Sequence, residues 1–168
     1  MATVNPTLIA TVVVGSGGAS SINFTSIPQT YTDLKLVASI RTTRTGSTQD
    51  AVALSINSGS TSEILLQADG SSASSNTQSG YFGYVDTSSN TANNFGNFEI
   101  YFPNYTNTAT YKSFSVDGVE ENNAAQSYVM LTSGLYSSTS AITSITINGS
   151  GGNYVQYSTA YLYGIKNS

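Results

Sequence analysis

The sequence predicts an all-β protein, an antiparallel β-sandwich of jelly-roll-like form, in a single domain over residues 1–168. Three observations predict it. Apolar residues recur at every second position in short runs, the period of a half-buried strand. Gly, Asn and Asp collect between those runs, where turns need positive φ. The composition, with 28 Ser, 22 Thr and 12 Tyr, is poor in strong helix formers and rich in strand formers.

Taken in order, strands are expected near 7–14, 20–26, 33–43, 51–57, 63–68, 80–85, 96–102, 110–116, 127–133, 141–148 and 154–165. Alternation is clearest at Ile22 and Phe24, at Leu34, Leu36, Ala38 and Ile40, and at Val52, Leu54 and Ile56. Turn chemistry separates the strands at Gly15–Gly18, Asn57–Gly59, Asp69–Gly70, Asp117–Gly118 and Asn148–Gly149. Short strands punctuated in this way describe a sandwich. Ser71–Ser79 and Thr87–Gly96 read as surface loops, the second long enough to carry function. No linker and no internal repeat divides the chain.

Charged residues make up 8% of the chain, against about 25% in an average soluble domain. The net charge of −4 comes from nine acidic and five basic residues. A phosphate-binding surface needs clustered Lys and Arg, and the nearest approach is Arg41 with Arg44, read as the solvated end of a strand. Nucleic acid is therefore not expected as a partner. The apolar run Leu8–Val14 is too short to cross a bilayer and lacks a preceding basic region, so neither a membrane span nor a signal peptide is expected. There is no Cys, so disulfides are excluded.

The chain also lacks His. The commonest general base, the thiol nucleophile and the best zinc ligands are thus missing together. Glu63 and Glu99 fall in strand-like runs and could serve a two-carboxylate glycosidase, but nothing in the sequence marks them as a pair. Asp117, Glu120, Glu121, Asn122 and Asn123 gather oxygens without the pattern of a calcium loop. The expectation is a non-enzymatic protein with no catalytic residue, metal or cofactor.

What remains is aromatic. Tyr81, Tyr84, Tyr101 and Tyr105 are the candidates for glycan contact. Tyr81 adjoins Phe82 and Tyr101 adjoins Phe102, so one member of each pair points away from the core. In the last strand Tyr157, Tyr161, Tyr163 and Ile165 share one face, while Ala160, Leu162 and Gly164 share the other. A strand apolar on both faces is covered on both. Two accounts stand: a loop of the same chain, such as Thr87–Gly96, covers the tyrosines, or a neighbouring subunit does.

Ile22-Asn23-Phe24-Thr25-Ser26-Ile27-Pro28, followed by Thr30-Tyr31-Thr32-Asp33-Leu34, resembles a pattern of tailed-bacteriophage structural proteins. So do Ser133-Gly134-Leu135-Tyr136, Ser140–Thr146 and the closing Tyr161-Leu162-Tyr163-Gly164-Ile165-Lys166. The similarity is to β-sandwich virion proteins, often from phages of marine or cyanobacterial hosts, of the capsid-decoration or tail-fibre type. It brackets residues 22–166 and is weakest in the middle. It implies a protein made in the host cytoplasm and carried on the virion surface. The expected role is capsid decoration, cement or head fibre, working as a homotrimer bound to the major capsid protein or other virion proteins. The alternative it implies is a tail-fibre adhesin for a host-surface glycan. No fibrous shaft or tail-anchoring segment is apparent, which favours decoration.

Overall fold

Alternating side chains become alternating faces once each run is extended, and the register of pairing then decides which face is buried. The computed structural model describes residues 5–123 and 127–167. The first strands are β1 (Thr7–Val13), β2 (Ile22–Phe24), β3 (Asp33–Ile40), β4 (Gln49–Ile56) and β5 (Gly59–Ser60). There follow β6 (Ser62–Ala68), β7 (Ala73–Ser79), β8 (Tyr81–Asp86) and β9 (Gly96–Phe102). The chain ends with β10 (Lys112–Glu121), β11 (Ser127–Tyr136), β12 (Ile145–Gly149) and β13 (Thr159–Ile165).

Eight of these strands form a frame. β1, β13, β3 and β9 pair side by side in one layer, and β2, β12, β4 and β8 pair in the other, all antiparallel. Counted along the frame, the layers read first-eighth-third-sixth and second-seventh-fourth-fifth. This interlocking of two Greek keys is the jelly roll. The remaining long strands are insertions. β6 and β7 lie between the fourth and fifth frame strands, β10 and β11 between the sixth and seventh. Together they carry the first layer past β9, giving an eight-stranded sheet in the order β1-β13-β3-β9-β10-β11-β6-β7.

The core lies between the layers. Leu34, Leu36, Ala38 and Ile40 of β3 face Val52, Leu54 and Ile56 of β4 and Ile145 and Ile147 of β12, all nearly or fully buried. Phe82 meets Phe98 edge-on, ring centroids 4.8 Å apart, which ties β8 to the larger sheet. β8 also packs on β10, β6 and β11, so the insertions share the core up to β6. β7 lies beyond it and is exposed along almost its whole length.

The hairpin at 56–59 shows how turn residues set register. Asn57 and Ser58 both have positive φ, 50° and 62°, as a two-residue turn matched to strand twist requires. Asn57 Oδ1 then accepts from the backbone N–H of Thr143 and Ser144, at 2.8 and 3.0 Å, and pins the segment leading into β12.

Several expectations change. Asn148–Gly149 is not a turn but the end of β12, paired with Ala53 and Val52, and that strand begins at Ile145 rather than 141. Ser71–Ser79 is not a loop: its residues 73–79 form β7 and pair along all of β6. Asp117–Gly118 is not a turn but the middle of β10. A Cβ at Gly118 would lie 3.3 Å from Phe98 Cβ on the neighbouring strand, a tight approach that glycine relieves. The last strand begins at Thr159 rather than 154, so Tyr157 lies outside it.

Candidate functional site

The inner face of the large sheet is the core; its outer face is open. Strand alternation places on that outer face Ile64 and Leu66 of β6 and Val129, Leu131 and Leu135 of β11. Leu131 pairs with Leu66, and Ser133 with Ile64, so these side chains adjoin across the two strands. Ile64, Leu66, Val129 and Leu131 are 49–62% exposed. Ile64 and Leu135 border a shallow depression of about 420 Å³, closed by Thr77, Ser113, Ser133 and Gly134. No charged side chain lies on the outer face of β6, β7 or β11. Asp117 of β10, paired with Leu131, borders the strip; a contiguous apolar strip of this kind is a candidate interaction surface.

Toward the other end of the same face lie Tyr161, Tyr163 and Ile165, all half-buried, so these three interface candidates share a surface. Tyr161 pairs with Thr11 and Val37, Tyr163 with Leu8 and Lys35. Their rings are 6.5 Å apart. Tyr157 does not join them. It sits in the turn before β13 and is 70% exposed. The loop after β8 does not cover Tyr161 and Tyr163 either. It closes over Arg41, whose guanidinium donates to the carbonyls of Asn90, Thr91 and Asn94 at 2.6–3.1 Å. Arg41 is therefore buried, not the solvated strand end its sequence context suggests.

The four glycan candidates do not converge. Tyr105 is fully buried and its hydroxyl donates to the Pro28 carbonyl, so it cannot touch a ligand. Tyr101 is on the outer face of β9 and donates to Asp33 Oδ2 at 2.6 Å, a bond that raises its hydroxyl to about 12. Tyr81 and Tyr84 are on β8, in the other layer. Glu63 and Glu99 separate in the same way. Glu63 is buried on the inner face, and Glu99 pairs with Lys35 on the outer face at 2.7 Å. They cannot flank one substrate.

The structure does bring two other carboxyls together. Asp86 at the end of β8 and Glu120 near the end of β10 are both buried, and Asn90 Nδ2 donates to each, at 2.6 and 3.1 Å. Burial, with the Asp86 charge second, pushes Glu120 up to about 7. Burial also raises Asp86, against the opposing pull of Asn90 and Arg41. A protonated Glu120 donating to Asp86 accounts for the otherwise unpartnered Asp86 Oδ2 and Glu120 Oε2. The pair clasps the two layers, with Asp86 0% and Glu120 1% exposed. Among the described residues, no group of three or more Asp, Glu, His or Cys could hold a metal ion. Among the described residues no helix is long and apolar enough to cross a membrane.

Sequence reasoning found the outer face at β13 and missed the stronger strip at β6 and β11. The signal was present. Ile64-Leu65-Leu66 and Val129-Met130-Leu131 are apolar on both faces, the same feature that singled out the last strand.

Fold and surface together define a jelly-roll sandwich whose larger sheet is widened by two inserted hairpins and carries an uncovered apolar face. Compared with known proteins, the chain matches no family model, no curated protein and no solved structure.

Proposed function

We propose that the protein is a non-enzymatic component of a phage virion surface, a capsid decoration, cement or head-fibre protein. It attaches through the outer face of its eight-stranded sheet. The observation that carries this reading is the strip of Ile64, Leu66, Val129 and Leu131, each about half or more exposed on two paired strands. Burying what each of these half-exposed side chains still shows to water contributes about 1 kcal/mol, roughly half the value for full burial. Several together, on each of the copies of a symmetric assembly, favour attachment without ion pairs.

Two further points support it. The jelly roll is an architecture of viral capsid and lectin domains, and the resemblance of residues 22–36 and 133–166 is to virion proteins. The near absence of charge weakens the repulsion that keeps many proteins monomeric. Closed symmetric assembly, a trimer on a capsid, is the form this favours.

Gold-labelled antibody against the protein, imaged on particles of the phage that encodes it, tests the location. Label spread over the capsid supports the reading. Label confined to the tail, or absent from washed particles, overturns it.

A further inference from the structure

At one end of the sandwich, away from the apolar strip, the chain keeps an aromatic ring in an unusual position. The backbone N–H of Ser158 donates to the Val155 carbonyl at 3.1 Å, closing a turn over Val155–Ser158. Tyr157 occupies the third position of that turn with φ at 73°. Such a position normally takes Gly or Asn, because a bulky side chain there clashes with its own backbone. Tyr157 gains little packing in return: at 70% exposure it is the most exposed large apolar side chain among the described residues. The turn is nonetheless firmly held. The N–H of Tyr157 donates to the Val14 carbonyl and that of Val155 to the Arg41 carbonyl, both at 3.0 Å. Strain without structural return, on a well-anchored backbone, is a pattern of functional sites.

The ring stands beside a hollow of about 270 Å³, walled by Tyr157, Gln156, Phe95, Asn93 and Ala92, with Arg41 among its lining. The opposite wall is the loop after β8, held by Arg41 through three carbonyls, so both walls are fixed. One exposed ring, a second aromatic and two side-chain amides form a simple recognition set. The apolar C–H face of a pyranose stacks on a ring, and amides both donate to and accept from its hydroxyls. No carboxylate lines the hollow, which disfavours a cation. A nucleobase would also stack, but a chain of net charge −4 offers its phosphates little.

We propose that this hollow binds a sugar ring, with Tyr157 as the stacking platform and Asn93 and Gln156 as hydroxyl partners. The site is independent of the apolar strip and of the attachment role assigned to it.

The test compares the wild-type protein with Tyr157→Gly, Tyr157→Phe and, as control, Tyr111→Ala, another exposed tyrosine (57%). The probe is a glycan array carrying neutral and acidic oligosaccharides. The expected result is that the wild type, Tyr157→Phe and Tyr111→Ala bind the same glycans. Tyr157→Gly then loses about tenfold or more in affinity while melting at or above the wild-type temperature, because glycine suits the turn. Wild-type protein that binds no glycan on the array overturns the proposal. So does Tyr157→Gly binding as the wild type does. A clear fall in the melting temperature of Tyr157→Gly would show that the ring is there for packing, and overturns it equally.

Discussion

At the β13 end of the large sheet, Tyr161 and Tyr163 are half-buried beside Val37 and Leu8, and Lys35 reaches Glu99 at 2.7 Å. At the β6 end, Ile64, Leu66, Val129 and Leu131 stand 49–62% exposed, with Asp117 of β10 paired beside Leu131. The tyrosines at the first end are thus partly covered by their neighbours, although Leu8 and Val13 of β1 stand 52% and 60% exposed there; at the second end four exposed apolar side chains adjoin across two paired strands. Both ends rest on the same buried inner face. Fold stability should therefore depend on the inner face throughout, and association more on the outer face at the β6 end, where the exposed apolar side chains adjoin, than at the β13 end.

The largest expected effect tests the inner half of that statement. Leu162 is fully buried, while Tyr161 beside it points outward. Leu162→Ala should destabilise the fold by about 2–5 kcal/mol. Tyr161→Ala should cost well under half as much, since its ring keeps part of its contact with water. Denaturant unfolding measures both. Equal losses would mean that the outer face at β13 is itself a core, covered by something beyond the single chain.

The next effect concerns the clasp between the layers. Glu120 sits at about 7 in the folded protein, against an ordinary value of 4.5. The folded state thus holds this proton more tightly than the unfolded state. The stability it confers is complete below about pH 4.5 and is lost as pH rises toward 7, by about 3 kcal/mol in all. The raised Asp86 acts in the same direction. Thermal unfolding between pH 4.5 and 8 should show this decline, and Glu120→Gln should flatten most of it. A wild-type profile that rises over that range would show that the two carboxyls do not share a proton.

The eight-strand frame was largely legible because its central strands alternate strictly, as Leu34 to Ile40 and Val52 to Ile56 do. The extension was less so, for two physical reasons. β7, Ala73–Ser79, is Ser-, Asn- and Gln-rich and exposed on both faces, so no period marks it. It is a strand because β6 supplies a full ladder, a nonlocal cause. Gly118 looked like punctuation because glycine serves both turns and close packing, and only the neighbouring Phe98 decides which. Tyr157 was placed on the tyrosine face by counting back in twos from Tyr161. The turn at Val155–Ser158 breaks that count, and nothing in a tyrosine announces positive φ.

A smaller effect on the fold, with a large one on assembly, sharpens the outer half of the comparison. Leu66 and Leu131 pair across β6 and β11 and are 49% and 55% exposed. Leu66→Ser and Leu131→Ser should each shift fold stability by only about 0.5 kcal/mol. Sedimentation of the double variant should show folded monomers where the wild type associates. Tyr161→Ser with Tyr163→Ser should leave association intact. If the tyrosine variant dissociates and the leucine variant does not, the two ends have been assigned the wrong roles.

The smallest effect comes from the charged end. Lys35 and Glu99 keep side-chain exposures of 33% and 49%. A pair so open to water contributes about 0.2–1 kcal/mol, less as salt screens it. Lys35→Met should therefore hardly move the unfolding midpoint. The same reasoning applies to assembly with a sharper edge. If copies or virion partners meet on the strip of Ile64, Leu66, Val129 and Leu131, the contact is apolar apart from Asp117 of β10, which pairs with Leu131 at its border, so it offers salt little charge to screen. Raising NaCl from about 0.05 to 0.5 M shortens the screening length several-fold, yet sedimentation of the wild type should show no dissociation. Apolar contacts are if anything strengthened by some salts. Dissociation at the higher salt would place the contact at the β13 end, where Lys35 and Glu99 lie, and Lys35→Met would then weaken assembly at low salt as well.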